Sequence, residues 1–181
     1  MKPEPVSFAL VETALGELLV AGDGNALVYL GLAGAEGLPA LREHIACHYP
    51  GRELVAKDGR LAGARIQLEE YARGERQKFE LELAPAGSEF ERRVWSELCA
   101  IPYGETRSYG ALARALGQLG ASRAVGGANG RNPIPIVIPC HRCVAADGPG
   151  GFSGGLDRKL QLLELERAHA DRGQALFEFG E

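Results

Sequence analysis

Residues 108–143 read SYGALARALGQLGASRAVGGANGRNPIPIVIPCHRC, and the architecture of the chain turns on how they are parsed. Ser108 is placed to cap a short helix through Leu116, which GQLG (117–120) breaks. Ser122 is placed to cap a second helix ending near Asn129. Two short helices across a glycine-bearing turn predict a helix-turn-helix. The second helix, RAVGGANG (123–130), consists almost entirely of small residues. Each of its interior glycines costs about 1 kcal/mol relative to alanine. A need for a smooth surface would justify that cost. One such need is close approach to another backbone, with Arg123 as the single long side chain projecting; the other is tight helix packing inside the fold. Next, NPIPIVIPC contains Pro133, Pro135 and Pro139, which forbid helix and predict a stiff extended segment. Cys140 stands at its end.

CHRC (140–143) admits several chemistries. A redox dithiol places its first cysteine at a helix N-terminus, but HRCVAADGPGG runs into a loop. A zinc site needs four ligands, and only Cys140, His141 and Cys143 lie here. A haem attachment site needs histidine after the second cysteine, where Val144 stands. The remaining reading is a nucleophile. A free thiol with a pKa of about 8.5 is only slightly ionised at neutral pH. It needs a base and a group to orient that base. His141 is the candidate base, directly or through a water, and Glu166 the candidate orienting carboxylate.

To the N-terminal side, APAG (84–87) reads as a joint. Ser88 to Glu91 matches a capping box, and Phe90, Val94, Trp95, Leu98 and Cys99 then recur at helical spacing as expected core. Residues 1–84 read as a small α+β unit. VSFALVET, GELLVAG and ALVYLGL are expected strands separated by turn signals. LPALREHIACHY and RLAGARIQLEEYARG are expected helices, the second ended by Gly74, and KFELELA an expected strand. His44, Cys47 and His48 are the metal-capable group of this unit; with nothing nearby to complete a ligand set, a solvated or partly packed helix face is the plainer reading. To the C-terminal side, AADGPGGFSGG is a glycine-rich loop. LDRKLQLLELERA is a final helix, expected to be amphipathic through Leu156, Leu160 and Leu163, with Leu162 a further candidate and Glu166 near its end.

The 181 residues suffice for one ordinary domain or two small ones. No apolar run approaches the roughly 18 residues that span a bilayer, so no membrane association is expected. The opening MKPEPVSFAL does not read as a secretory leader. Four irregularly spaced cysteines point to a reducing, intracellular compartment rather than a disulfide framework. Net charge is −4, but residues 107–159 hold seven cations against Asp147 and Asp157, a local +5. That field is what a phosphate-binding face would need, unless it is an ordinary surface fluctuation.

RAVGGANGRNPIPIVIPCHRC, with SYGALA before it and FSGGLDRKLQLLELE after it, resembles the O6-alkylguanine-DNA alkyltransferases (methylated-DNA–protein-cysteine methyltransferases) across 88–168. The resemblance implies an N-terminal α+β, ribonuclease-H-like supporting domain (1–84). It implies a helical domain with a winged helix-turn-helix (88–170) that binds DNA and accepts the alkyl group. Cys140 would be the acceptor, relayed through His141 and Glu166. Asn132 would hold the turn between recognition helix and active-site segment. Tyr109 would contact the flipped nucleotide and help protonate the departing base. Arg123 would fill the gap in the duplex. Ser108, Tyr109, Arg123, Ala124, Gly126, Gly127 and Arg131 would face DNA from the minor groove. Pro135, Cys143, Phe152 and Ser153 would line the pocket, Ser153 near guanine O6. The resemblance implies a monomer, no cofactor and no metal, and one transfer per molecule from O6-alkylguanine, with O4-alkylthymine a further substrate. Two departures stand out: Cys143 replaces the usual valine or isoleucine, either as a passive packing substitute or as a disulfide partner for Cys140 under oxidation, and the loop before Ser153 is about one residue shorter than in some relatives, with Phe152 where tyrosine is common. A DNA-binding regulator and a cysteine hydrolase are the competing classes; a regulator would carry extra metal-binding segments, and a hydrolase would turn over.

Overall fold

In a computed structural model of the chain, residues 4–33, 37–57, 59 and 61–170 are described. They divide into two compact units, one ending at Ala86 and the other beginning at Gly87.

The first unit is built on a four-stranded sheet. Strands β1 (Val6–Thr13), β2 (Gly16–Asp23) and β3 (Ala26–Leu32) form an antiparallel meander. The β1–β2 turn closes where the Thr13 hydroxyl donates to the Gly16 carbonyl at 2.7 Å and Gly16 takes φ 101°, a conformation glycine adopts at no steric cost. Helix α1 (Gly37–His48) leads to β4 (Leu54–Ala56), which pairs parallel to β1 and completes the order β3-β2-β1-β4. Leu41 and Ile45 of α1 pack with Leu19, Ala21, Val28 and Val6 as the core of this unit. Helix α2 (Ala62–Ala72) lies against β1. The central strand β2 is buried continuously from Leu18 to Gly22, as a strand covered on both faces must be.

KFELELA is not a strand. Its backbone pairs with β3 only around Leu27, through Leu27 N–H to Glu82 O at 2.8 Å and Ala84 N–H to Leu27 O at 2.9 Å. The fourth strand is LVA (54–56), too short to show alternation in the sequence. The helix face of His44, Cys47 and His48 is partly packed: His44 is half-buried, with the tilted rings of Tyr29 and His48 centred 5.1 and 4.6 Å away, while Cys47 and His48 are exposed.

The second unit is helical. Ser88 caps α3 (Glu89–Cys99) with the expected capping box. Val94, Trp95 and Leu98 are buried, whereas Cys99, expected in the core, is exposed. Strand β5 (Arg107–Ser108) runs into α4 (Tyr109–Ala115), capped by Ser108, whose hydroxyl accepts from Ala111 N–H at 3.1 Å. Gln118 N–H to Ala113 O at 2.9 Å and Gly117 at φ 69° end α4 as a Schellman-type cap. Helix α5 (Ser122–Gly130) follows; Ala121 rather than Ser122 occupies its N-cap. The Trp95 indole N–H donates to Ala128 O at 2.9 Å and ties α5 to α3. A single 3-10 turn, Cys140–Arg142, leads into β6 (Cys143–Val144), which pairs parallel to β5.

Between α5 and that turn, NPIPIVIPC is not extended. Ile138 N–H bonds Ile134 O at 2.9 Å, and Ile136 takes φ 75°. Prolines exclude helix but not turns, and a clamp enforces this one: the Asn132 carboxamide donates to Ile138 O at 2.8 Å and accepts from Ile134 N–H at 3.0 Å.

Helix α6 (Leu156–His169) also departs from expectation. Its buried residues are Lys159, Leu162 and Glu166, while Leu156 and Leu160 are each 47% exposed. Among the described residues, no helix is long and apolar enough to cross a membrane.

Candidate functional site

Cys140 is 1% exposed, and its backbone N–H bonds Ile138 O at 2.7 Å, so the Asn132 clamp fixes the backbone that carries the sulfur. Burial pushes the thiol up to about 11. A hydrogen bond from the Asn132 side chain and the charge of Lys159 oppose that rise. The resting thiol is therefore neutral.

His141 is fully buried beside it in sequence. Its Nε2 lies 2.7 Å from Glu166 Oε1. Glu166 also accepts from Arg142 Nε at 2.8 Å, from Arg142 Nη2 at 2.9 Å and from Gly104 N–H at 3.0 Å. Burial alone would raise this carboxyl, but the His141 and Arg142 hydrogen bonds outweigh it and hold it down at about 2. Desolvation lowers His141, and Glu166 only partly opposes that. Because Arg142 already answers the Glu166 charge, the imidazole stays neutral. With Nε2 committed to Glu166, Nδ1 is the ring atom that can take a proton.

Arg142 is the partner that sequence reasoning missed. By composition it belongs to the basic field, yet it is 6% exposed, donates to Ile101 O at 2.6 Å and stacks 5.7 Å from the Tyr103 ring centroid. Lys159 is also buried, and the Arg131 guanidinium is paired with Glu91. The +5 of residues 107–159 is thus partly internal; among the described residues, Arg114 and Arg123 are its exposed cations without an ion-pair partner. The signal for Arg142 was present in CHRC, where a long cation adjoins the candidate base.

Around the thiol stand Tyr109, Cys143 and the loop after β6. The Tyr109 hydroxyl donates to Gly151 O at 3.5 Å, and burial raises its pKa, with the two sulfurs adding to the rise. Phe152 meets His141 edge-on, centroids 6.5 Å apart. Cys143 is fully buried, its thiol pushed up to about 12 by desolvation, and all four cysteines are free thiols. Pro135 is half-buried in the clamped turn; Ser153 is exposed on the loop.

On α5, Arg123 and Ala124 are exposed, and Gly126 and Gly127 half-buried. A Cβ at Gly126 would meet nothing nearer than Tyr109 at 3.9 Å, and one at Gly127 only the far end of the Arg131 side chain at 3.3 Å. Packing within the described fold does not require either glycine. Among the described residues, no group of three or more His, Cys, Asp or Glu could hold a metal ion.

A buried thiol thus adjoins a carboxylate-held imidazole and follows a helix whose glycines its own packing does not require, an arrangement suited to a cysteine nucleophile. The family model for the 6-O-methylguanine DNA methyltransferase, DNA binding domain matches residues 89–168. The methylated-DNA–protein-cysteine methyltransferase of Mycolicibacterium paratuberculosis is 44% identical over 96% of this chain and 99% of its own. That of Methanosarcina acetivorans is 42% identical over 88% and 97%. The crystal structure of the Mycobacterium tuberculosis O6-methylguanine methyltransferase matches with TM-score 0.80 and 41% identity, covering 96% of this chain and 99% of that one. The OGT of the same organism, in complex with DNA, matches with TM-score 0.78 and 39% identity, covering 95% and 99%. This chain belongs to the methylated-DNA–protein-cysteine methyltransferase family.

Proposed function

We propose that this protein repairs DNA by moving the alkyl group of O6-alkylguanine onto Cys140, once per molecule. The observation that carries the reading is the buried Cys140–His141–Glu166 array mounted on the Asn132-clamped turn. His141 Nδ1, directly or through a water, takes the Cys140 proton. The thiolate attacks the alkyl carbon, the S–C bond forms as the C–O6 bond breaks, and the departing guanine receives a proton. Tyr109 is the donor for that proton, and Ser153 the hydrogen-bond partner of O6. The thioether product does not reverse, so turnover stops at one.

Guanine O6 lies inside the duplex, so the base must leave the stack, at a cost of a few kcal/mol. Arg123 fills the gap while the smooth face of α5, with Ala124, Gly126 and Gly127, lies along the minor groove. Ser108 and Arg131 flank that face; Arg131 would exchange Glu91 for phosphate. Pro135, Cys143 and Phe152 complete the pocket. We read α4, its turn and α5, with β5 and β6 alongside, as a winged helix-turn-helix. The meander–helix–parallel-strand order of the first unit supports a ribonuclease-H-like supporting domain. The protein acts as a monomer inside the cell, without a cofactor, and O4-alkylthymine is a second substrate.

The test mixes full-length protein with duplex DNA containing O6-methylguanine and weighs the intact protein. One added methyl group is expected, mapped to Cys140 and absent from Cys140→Ser. Methyl on Cys143, or repeated turnover, would overturn the assignment.

A further inference from the structure

Helix α6 buries a lysine on its inward face. Lys159 is 0% exposed, and its ammonium donates to the Cys143 carbonyl at 2.5 Å and to the Gly151 carbonyl at 3.1 Å. Those bonds join β6 to the glycine-rich loop. Among the described residues no carboxylate pairs with Lys159; Glu166, two turns further along the same face, is committed to His141 and Arg142. A buried cation without an anion is strongly unfavourable, and carbonyl dipoles compensate it only in part. Desolvation accordingly lowers its pKa.

The ionisable groups facing this ammonium are sulfurs: Cys140 from the 3-10 turn and Cys143 from β6. Tyr109 from α4 faces the same two sulfurs. His141, backed by Glu166 and Arg142, senses Lys159 as a neighbouring positive charge. Asn132 completes the surroundings of Cys140. Of these groups, the one that must become an anion for chemistry is Cys140.

We propose that Lys159 is a positioning residue that acts through its charge. It braces the Cys143 and Gly151 carbonyls in the resting protein and serves as internal counter-cation to the Cys140 thiolate. This rests on the alkyl-transfer reading above. Deprotonation moves one proton from Cys140 Sγ to His141 and leaves a sulfur anion beside a cation that lacked one. Transfer then consumes that anion as the S–C bond forms.

The experiment follows iodoacetamide labelling of Cys140, by peptide mass mapping, from neutral to alkaline pH in full-length wild type, Lys159→Met, Lys159→Gln and Lys159→Arg. No DNA is needed. The neutral variants should move the labelling midpoint up by about one pH unit, an approximately tenfold slower reaction near neutrality. Lys159→Arg, which keeps the charge, should stay close to the wild-type midpoint. Neutral variants that fold and keep the wild-type midpoint would reduce Lys159 to a strut and overturn the proposal. Should neither neutral variant fold, Lys159→Arg decides: a wild-type midpoint supports the counter-cation, and an upward shift at unchanged melting temperature overturns it. If lesion-bearing duplex leaves Cys140 unmodified while the labelling midpoint still follows the charge at 159, the repair reading has failed and the counter-cation has not.

Discussion

At the residue scale, Glu166 concentrates the site's energetics. It accepts from His141, from Nε and Nη2 of Arg142 and from Gly104 without touching solvent. Glu166→Gln leaves the Arg142 cation buried without its anion, and loss of one partner of such a pair costs about 3–5 kcal/mol. Urea melts should show a loss of that size together with loss of transfer. The pH dependence has a definite sign. Folding lowers the pKa of His141 and of Glu166, so in both cases the unfolded chain binds the proton more readily. Their contributions are complete above about 6.5 and fade on acidification: His141 begins to cost stability below about 6.5, and Glu166 loses its share between about 4 and about 2. Thermal melts between neutral and strongly acid pH should fall monotonically in those two stages; a stability maximum below about pH 4 would contradict this. Cys143 poses a separate question. Cys143→Val should preserve transfer and lengthen survival of activity in peroxide, read by the lesion assay before and after exposure. Equal sensitivity of both proteins would exclude a Cys140–Cys143 disulfide as the oxidative lesion.

At the scale of elements, α5 separates stability from binding. Packing requires neither Gly126 nor Gly127, and each glycine gives up about 1 kcal/mol of helix propensity. Gly126→Ala and Gly127→Ala should therefore raise stability by up to about that amount in a denaturant titration, while both weaken binding to duplex DNA in a fluorescence titration. Destabilisation instead would mean that the glycines serve the fold. Arg123→Ala is expected to slow repair in duplex by roughly tenfold or more while leaving reaction with free O6-methylguanine base nearly intact, because only the duplex demands an extruded base. The clamped turn 132–138 shows what the sequence concealed. Its prolines excluded helix correctly, yet the chain folds back on itself because Asn132 pairs with both ends, and no periodicity encodes a single carboxamide bridging six residues. In α6 the leucines at 156, 160 and 163 suggest a buried stripe, but the neighbouring face is inside. That face carries Lys159 and Glu166 beside Leu162, and a polarity-based reading inverts such a helix.

At the scale of the molecule, charge is distributed differently from the way composition implies. Seven cations lie in residues 107–159, but Arg142 and Lys159 are internal and Arg131 is paired with Glu91. If all seven met phosphate, the salt slope of log Kobs would be about −6; with Arg142 and Lys159 internal it should be no steeper than about −4.5, the value reached if Arg131 exchanges Glu91 for phosphate. A salt titration of binding to undamaged duplex distinguishes the two. The remaining cations supply modest attraction on a chain whose net charge is −4. Under the proposed docking, recognition depends more on the fit of a smooth helix and one arginine than on a broad positive surface.

The sequence alone determined the three-strand meander, the capped α3, the two short helices and the adjacent thiol and imidazole of Cys140 and His141, whereas the role of Asn132 was implied only by the family resemblance. Each is written in local patterns or in a short motif: alternation, capping chemistry, glycine punctuation, a thiol beside a base. Only the tertiary structure decided that Arg142 and Lys159 turn inward, that the proline-rich run is a turn, and which face of α6 is buried. The physical reason is that a cation looks the same in a sequence whether it meets water or a buried carboxylate. What it meets depends on segments far away in the chain, brought together by packing.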